Sequence, residues 1–154
     1  MAGCCGLGLA PSFAAQAAGW ATYALDDSAS RIEGPAPALR WRTPLPNRSA
    51  ANLVLDATTS VHIVLNLAPF VGKSARIYMT MPWTALSSLA VDWVGAGTLQ
   101  NGRLTGGQRQ LVWQGVVGAV RLEDTLRVHA SVDARESAAP APVAFRFEIE
   151  VPAP

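Results

Sequence analysis

Few side chains in this sequence are equipped for acid–base, nucleophilic or metal chemistry. It holds two histidines, His62 and His129, and two cysteines, Cys4 and Cys5. The cysteines are adjacent, so they cannot staple a fold or furnish a four-ligand metal site. Each histidine falls on the polar row of an alternating segment. Were those segments neighbours in a sheet, the imidazoles with Asp92 or Asp133 would form a metal pair, but the ligand spacing of zinc sites is absent. A solvated or cross-strand-paired residue is the plainer reading of both. Acidic residues gather at Asp26-Asp27, Glu123-Asp124 and Asp133 with Glu136, all in expected loops. There Asp serves local hydrogen bonds, whereas a glycosidase needs two carboxylates facing each other across a cleft. The chain has no Gly-x-Ser-x-Gly elbow, no glycine loop between a strand and a helix, and no Asp-x-Asp-x-Asp-Gly calcium loop. No residue is therefore assigned a catalytic, cofactor-binding or metal-binding role. The chain is not read as an enzyme, and no cofactor is expected.

The aromatic residues offer a different chemistry. Trp20, Trp41, Trp83, Trp93 and Trp113 are many for this length. An exposed indole on a sheet can stack on a sugar ring or anchor a partner. Trp41, Trp93 and Trp113 share the parity of their apolar neighbours and are expected in the core. Trp83 follows Pro82 in a turn, and Trp20 lies early in the chain. These two are the candidates for a ligand-binding surface.

The elements that must position these residues are strands. Apolar residues recur at every second position in Leu39–Thr43, Val61–Leu67, Ile77–Met81, Leu89–Trp93, Leu111–Trp113, Leu126–Val132 and Phe145–Val151. Such a period puts one row on a core and the other in water. Turn residues fall between the runs: Asn101-Gly102 suits a two-residue hairpin, Gly106-Gly107 breaks the chain again, and Pro44 and Pro46 bound the first run. No window keeps a helical period. Around eight short strands predict an all-β fold, an immunoglobulin-like antiparallel β-sandwich in preference to a barrel.

At 154 residues the chain suits one domain, with 50% hydrophobic and 15% charged residues. Twelve basic against eleven acidic residues leave a net charge of +1 and no large positive field, so nucleic acid is not an expected partner. The segment from Met1 to Leu25 carries no charge, and Ala15-Gln16-Ala17 fits the small-x-small rule of signal-peptide cleavage. Residues 1–17 therefore read as a signal peptide, whose start is truncated since no Lys or Arg opens it. Residues 18–154 read as a single exported domain. A second reading of the same stretch is lipidation at Cys4, since Met1-Ala2-Gly3-Cys4 resembles the end of a bacterial lipobox. Pro11 interrupts the apolar stretch well short of the ~20 residues that a membrane span requires.

An export signal, one sandwich domain and the strongly alternating final strand Val143-Ala-Phe-Arg-Phe-Glu-Ile-Glu-Val151 resemble, in layout, a bacterial chaperone–usher fimbrial subunit. The resemblance implies a fold short of one strand, completed by β-strand addition from a periplasmic chaperone or a neighbouring subunit. It implies a place in the periplasm or on the cell surface, in a fimbrium. It makes Phe145, Phe147, Ile149 and Val151 the row that lines a partner groove. The C-terminus Val151-Pro-Ala-Pro lacks that family's glycine and penultimate tyrosine, which fits an atypical or minor subunit. Two other classes stand beside this one: a secreted carbohydrate- or ligand-binding sandwich using Trp20 and Trp83, and a hydrolase or metalloenzyme that would need His62 and His129 together.

Overall fold

The alternating runs that start at Val61 and Leu126 lie in the longest pair of strands. In the computed structural model, which describes residues 19–35, 37–42, 53–83, 86–136 and 144–153, β4 (Val54–Asn66) and β9 (Arg121–Asp133) pair antiparallel along their whole length. Ile63 and Leu65 of β4 and Leu122, Leu126, Val128 and Val132 of β9 all turn inward. The other strands are β1 (Trp20–Ala24), β2 (Arg31–Glu33), β3 (Arg40–Trp41), β5 (Ser74–Thr80), β6 (Ala90–Gly95), β7 (Gly102–Thr105), β8 (Arg109–Val116) and β10 (Arg146–Pro152). A 3-10 turn, Ala68–Phe70, follows β4. No helix among the described residues is long and apolar enough to cross a membrane.

The strands form two antiparallel sheets, one ordered β1-β10-β5-β8 and one ordered β2-β4-β9-β6-β7 with β3 also on β4. The all-β antiparallel sandwich that the alternation predicts is what forms. The wiring refines the immunoglobulin-like layout. Leaving aside the two short strands β2 and β3, the remaining eight run first, eighth, third, sixth in one sheet and second, seventh, fourth, fifth in the other, which is the order of a jelly roll. Among these eight strands the chain crosses between sheets at six of the seven connections, so the two sheets are built together. Leu65, Ile77, Met79, Met81, Val91, Trp93, Leu104, Val112, Leu126 and Ile149 fill the space between them. The ends meet: the Ala153 amide donates to the Gly19 carbonyl at 2.7 Å. Segment 1–17, with Cys4 and Cys5, lies outside the described residues, as does Ala18.

Several expectations are corrected. The final strand β10 is not an edge: it lies between β1 and β5. Phe147, Ile149 and Val151 are buried in the chain's own core, and Phe145 packs against it, so the row assigned to a partner groove is already covered from within. The Leu39–Thr43 run shortens to the two residues of β3, leaving Trp41 45% exposed at the sheet edge instead of in the core. Asn101-Gly102 is not a hairpin turn. Gly102 opens β7 opposite Trp93, and a Cβ there would overlap the Trp93 ring, so the glycine is a seat for an indole. Asn101 Oδ1 instead accepts from the Gly95 amide at 2.9 Å. A two-residue turn does occur at Gly106-Gly107, where Gln108 N donates to Thr105 O and Gly107 takes φ +77°, but it carries the chain from β7 in one sheet to β8 in the other.

One inward position breaks the apolar row. Asp124 is expected in a loop but lies on β9 with its carboxylate in the core, 6% exposed. It accepts from the Leu99 amide through Oδ2 and from the Thr125 amide through Oδ1, both at 2.7 Å. A buried carboxylate is tolerated only when so satisfied. Here it ties down loop 96–101, whose Gln100 carbonyl receives the Trp93 indole N–H at 2.9 Å. Asp124→Ala is expected to lower the unfolding free energy by about 2–3 kcal/mol, read by urea denaturation. Wild-type stability in that variant would show that the carboxylate does not anchor the loop.

Candidate functional site

The functional surface is built from polar rows that alternate with core rows. In the four-stranded sheet Ile77 and Met79 of β5 and Phe147, Ile149 and Val151 of β10 point inward. Arg76, Tyr78 and Thr80 therefore point outward, as do Arg146, Glu148 and Glu150. Register sets their neighbours. Glu150 lies between Thr22 of β1 and Arg76, Glu148 lies between Ala24 and Tyr78, and Arg146 lies beside Thr80. From β8, Gln114 flanks Arg76, Leu111 flanks Tyr78 and Arg109 flanks Thr80. A bulge in this pairing at Ile77/Tyr78 lets Val112 enter the core while Arg109 and Leu111 stay on the outer face.

Two arginine–aromatic stacks stand side by side on this face. The Arg109 guanidinium lies 3.6 Å from the Tyr78 ring centre and reaches across β5 to Glu148 (Nε–Oε2 3.3 Å) and Glu150 (Nη1–Oε1 2.9 Å). One planar cation thus bridges two carboxylates over an aromatic floor. The Arg76 guanidinium lies 4.2 Å from the Trp20 ring centre, on the far side of β10. It has no carboxylate within ion-pair distance among the described residues, although Glu150 is its cross-strand neighbour. The Glu150 carboxylate is drawn to Arg109 instead.

The tryptophan candidates are both on the surface but are not brought together. Trp20, 41% exposed, joins the Arg76 stack. Trp83, 86% exposed, lies at the opposite end of β5, where a Cβ on Gly107 would overlap its ring. The indole therefore rests on the bare backbone of the Gly106-Gly107 turn. Sequence reasoning missed Tyr78, Arg109, Glu148 and Glu150. Their signal was present as the polar partners of the alternating runs, but which polar rows share a face depends on strand order.

The histidines sit on the other sheet. His62 and His129 are on neighbouring strands, yet His62 faces Thr125 and His129 faces Thr58. Four residues separate them along the ladder, roughly 13 Å of strand. The histidine pair that a metalloenzyme would need is not assembled. His62 lies 3.4 Å from Thr125 Oγ1 and 3.9 Å from Glu123. His129 stands between Asp56 at 3.5 Å and Asp92 at 3.9 Å, and Arg103 reaches Asp92 at 3.7 Å. Among the described residues no group of three or more His, Cys, Asp and Glu is gathered so as to hold a metal ion. Glu136 is engaged by Ser87 and Ser88, and Asp133 by Arg135, which holds its carboxyl down at about 2.

A pocket of about 400 Å³ opens between loop 26–30, the end of β4 and the start of β9, lined in part by Asp26, Ser28, Val64, Asn66, Val120 and Arg121. Its polar rim is spent internally: Asp26 accepts from Ser28 N, Asn66 Oδ1 from Ala68 N, and Arg121 pairs with Glu123. The chain matches no family model and no curated protein. Among solved structures it is similar to TmCBM61 in complex with beta-1,4-galactotriose, at 8% identity over 86% of this chain and 84% of that one, with a TM-score of 0.26. At that TM-score the likeness carries nothing across.

The charge network on the second sheet has a pH consequence. Arg42 donates to Asp56 twice, Nε–Oδ2 at 2.8 Å and Nη2–Oδ1 at 2.9 Å, and this fork holds the Asp56 carboxyl below the usual carboxylate range. A depressed carboxylate stabilises the fold above its ordinary titration and loses that contribution as acid protonates it. The melting temperature is expected to fall below about pH 4, and Asp56→Asn should flatten part of that fall. An identical pH profile in the variant would sink the assignment.

Proposed function

We propose that this chain is an exported binding module whose outer sheet face, β1-β10-β5-β8, holds a carbohydrate. One observation carries the reading: two arginine–aromatic stacks, Trp20 with Arg76 and Tyr78 with Arg109, lie on one face together with Glu148 and Glu150. Sugars offer hydroxyls to charged forks and C–H faces to aromatic rings, and this surface provides both kinds of partner. The groups are held from below by core strands, which is how a binding surface keeps its geometry without a ligand. The small-x-small run Ala15-Gln16-Ala17 within the charge-free stretch to Leu25 supports export.

Assembly as an atypical fimbrial subunit is the weaker reading. Strand addition needs an open groove beside the last strand, and β1 and β5 of the same chain occupy both sides of β10. Catalysis has less support still, since the paired groups on this face neutralise each other.

Affinity electrophoresis of the protein through gels containing soluble polysaccharides tests the proposal. Retardation by at least one polymer is expected, and Trp20→Ala should weaken it about tenfold, equivalent to ~1.4 kcal/mol. Trp41→Ala, on the edge of the other sheet, should leave it unchanged. Free migration of the wild type in every polymer would exclude the reading.

A further inference from the structure

We infer that the ligand of this face is an acidic saccharide, and that Arg76 is the side chain that reads its charge. The inference rests on the reading of the face as a carbohydrate site and adds the chemical class of the sugar. It follows from the contrast between the two stacks. Arg109 is charge-paired, with Tyr78 beneath it and both Glu148 and Glu150 within ion-pair distance. Arg76 has the same aromatic support, from Trp20, but no anion among the described residues.

Strand register and the reach of Arg109 explain why Arg76 is without an ion pair among the described residues. Glu150 is opposite Arg76 in register and would be its natural partner. Arg109 reaches over from β8 and takes that carboxylate at 2.9 Å, 14% exposed. Arg76 keeps a planar fork of donors, one face of which lies against an indole. A guanidinium held over a ring in this way has lost part of its freedom, so binding an oxyanion costs less ordering. Its geometry matches the two oxygens of a carboxylate or of a sulfate. Arg146, on the same face, adds a second positive charge and has no ion pair among the described residues. The face therefore holds Arg76, Arg109 and Arg146 against Glu148 and Glu150. Its two acids are engaged by Arg109 and its cationic groups are not all spent. A neutral sugar would satisfy the aromatic surface but leave the Arg76 fork without an anion. A uronate or a sulfated sugar satisfies both.

The test uses the full chain in gels containing alginate, dextran sulfate or neutral dextran, with titration calorimetry on whichever polymer retards it. Retention is expected with alginate, dextran sulfate or both, and weaker with dextran. Alginate alone assigns a carboxylate; dextran sulfate alone assigns a sulfate. Added salt should weaken binding, since partly exposed charges are screened within about 8–10 Å at 0.1–0.15 M. Arg76→Gln should lower affinity for the acidic polymer about tenfold without changing the melting temperature. Arg76→Lys should recover only part of it, because an ammonium keeps the charge but not the fork. Equal retention by dextran and by the acidic polymers, with Arg76→Gln binding like wild type, would overturn the charge assignment and leave the carbohydrate reading standing. Absence of retention on all three, together with binding to other neutral polysaccharides, would do the same. Absence on every polysaccharide would overturn both. Should Arg76→Gln fail to fold, the salt dependence and Arg76→Lys decide.

Discussion

Thirteen consecutive residue pairs join β4 to β9, from Val54 opposite Asp133 to Asn66 opposite Arg121. A slip of one residue in that ladder would turn Ile63, Leu65, Leu126 and Val128 to water and bring charged side chains inward, so the register is fixed by burial. Everything else is placed from it. Pairing with β9 sets β6, which sets β7, and the short strands β2 and β3 extend β4. The inner rows of β4, β9 and β6 then define the surface on which the second sheet must pack. The outer face of that second sheet, with its stacked arginines, is thus fixed from its buried side.

Much of this was legible in the residues. Every long run of alternating apolar residues became a strand, and the inward parity of Ile77, Met79, Phe147 and Ile149 was correct. Alternation reports burial directly, because strand side chains point alternately to opposite faces. What it does not report is which strand lies beside which. The polar rows Arg76-Tyr78-Thr80 and Arg146-Glu148-Glu150 looked like two solvated faces; strand order makes them one surface. Strands β1 and β2 were missed because they lie at sheet edges and are almost wholly exposed, so they carry no apolar period to read.

Glycine and acid misled for related reasons. Asn101-Gly102 carries the chemistry of a tight turn, yet the missing Cβ there makes room for the Trp93 ring. Glu123-Asp124 reads as a loop pair, yet successive strand residues face opposite ways, so one acid goes to water and the other into the core. There two backbone amides replace the water it loses. Both cases turn on a tertiary contact that local preference cannot contain.

The jelly-roll order makes β1 and β10 neighbours, and the hydrogen bond between Ala153 and Gly19 brings the two ends of the described sandwich together beside Trp20. A domain whose ends meet can be spliced into a surface loop of another protein, or have its ends joined and be reopened elsewhere, with little disturbance to its core. For the same reason, chain leading into Gly19 or out of Ala153 meets the sandwich next to the Trp20–Arg76 stack. Reopening the circle at the Gly106-Gly107 turn, at the opposite end of β5 and β8, would move both ends away from it.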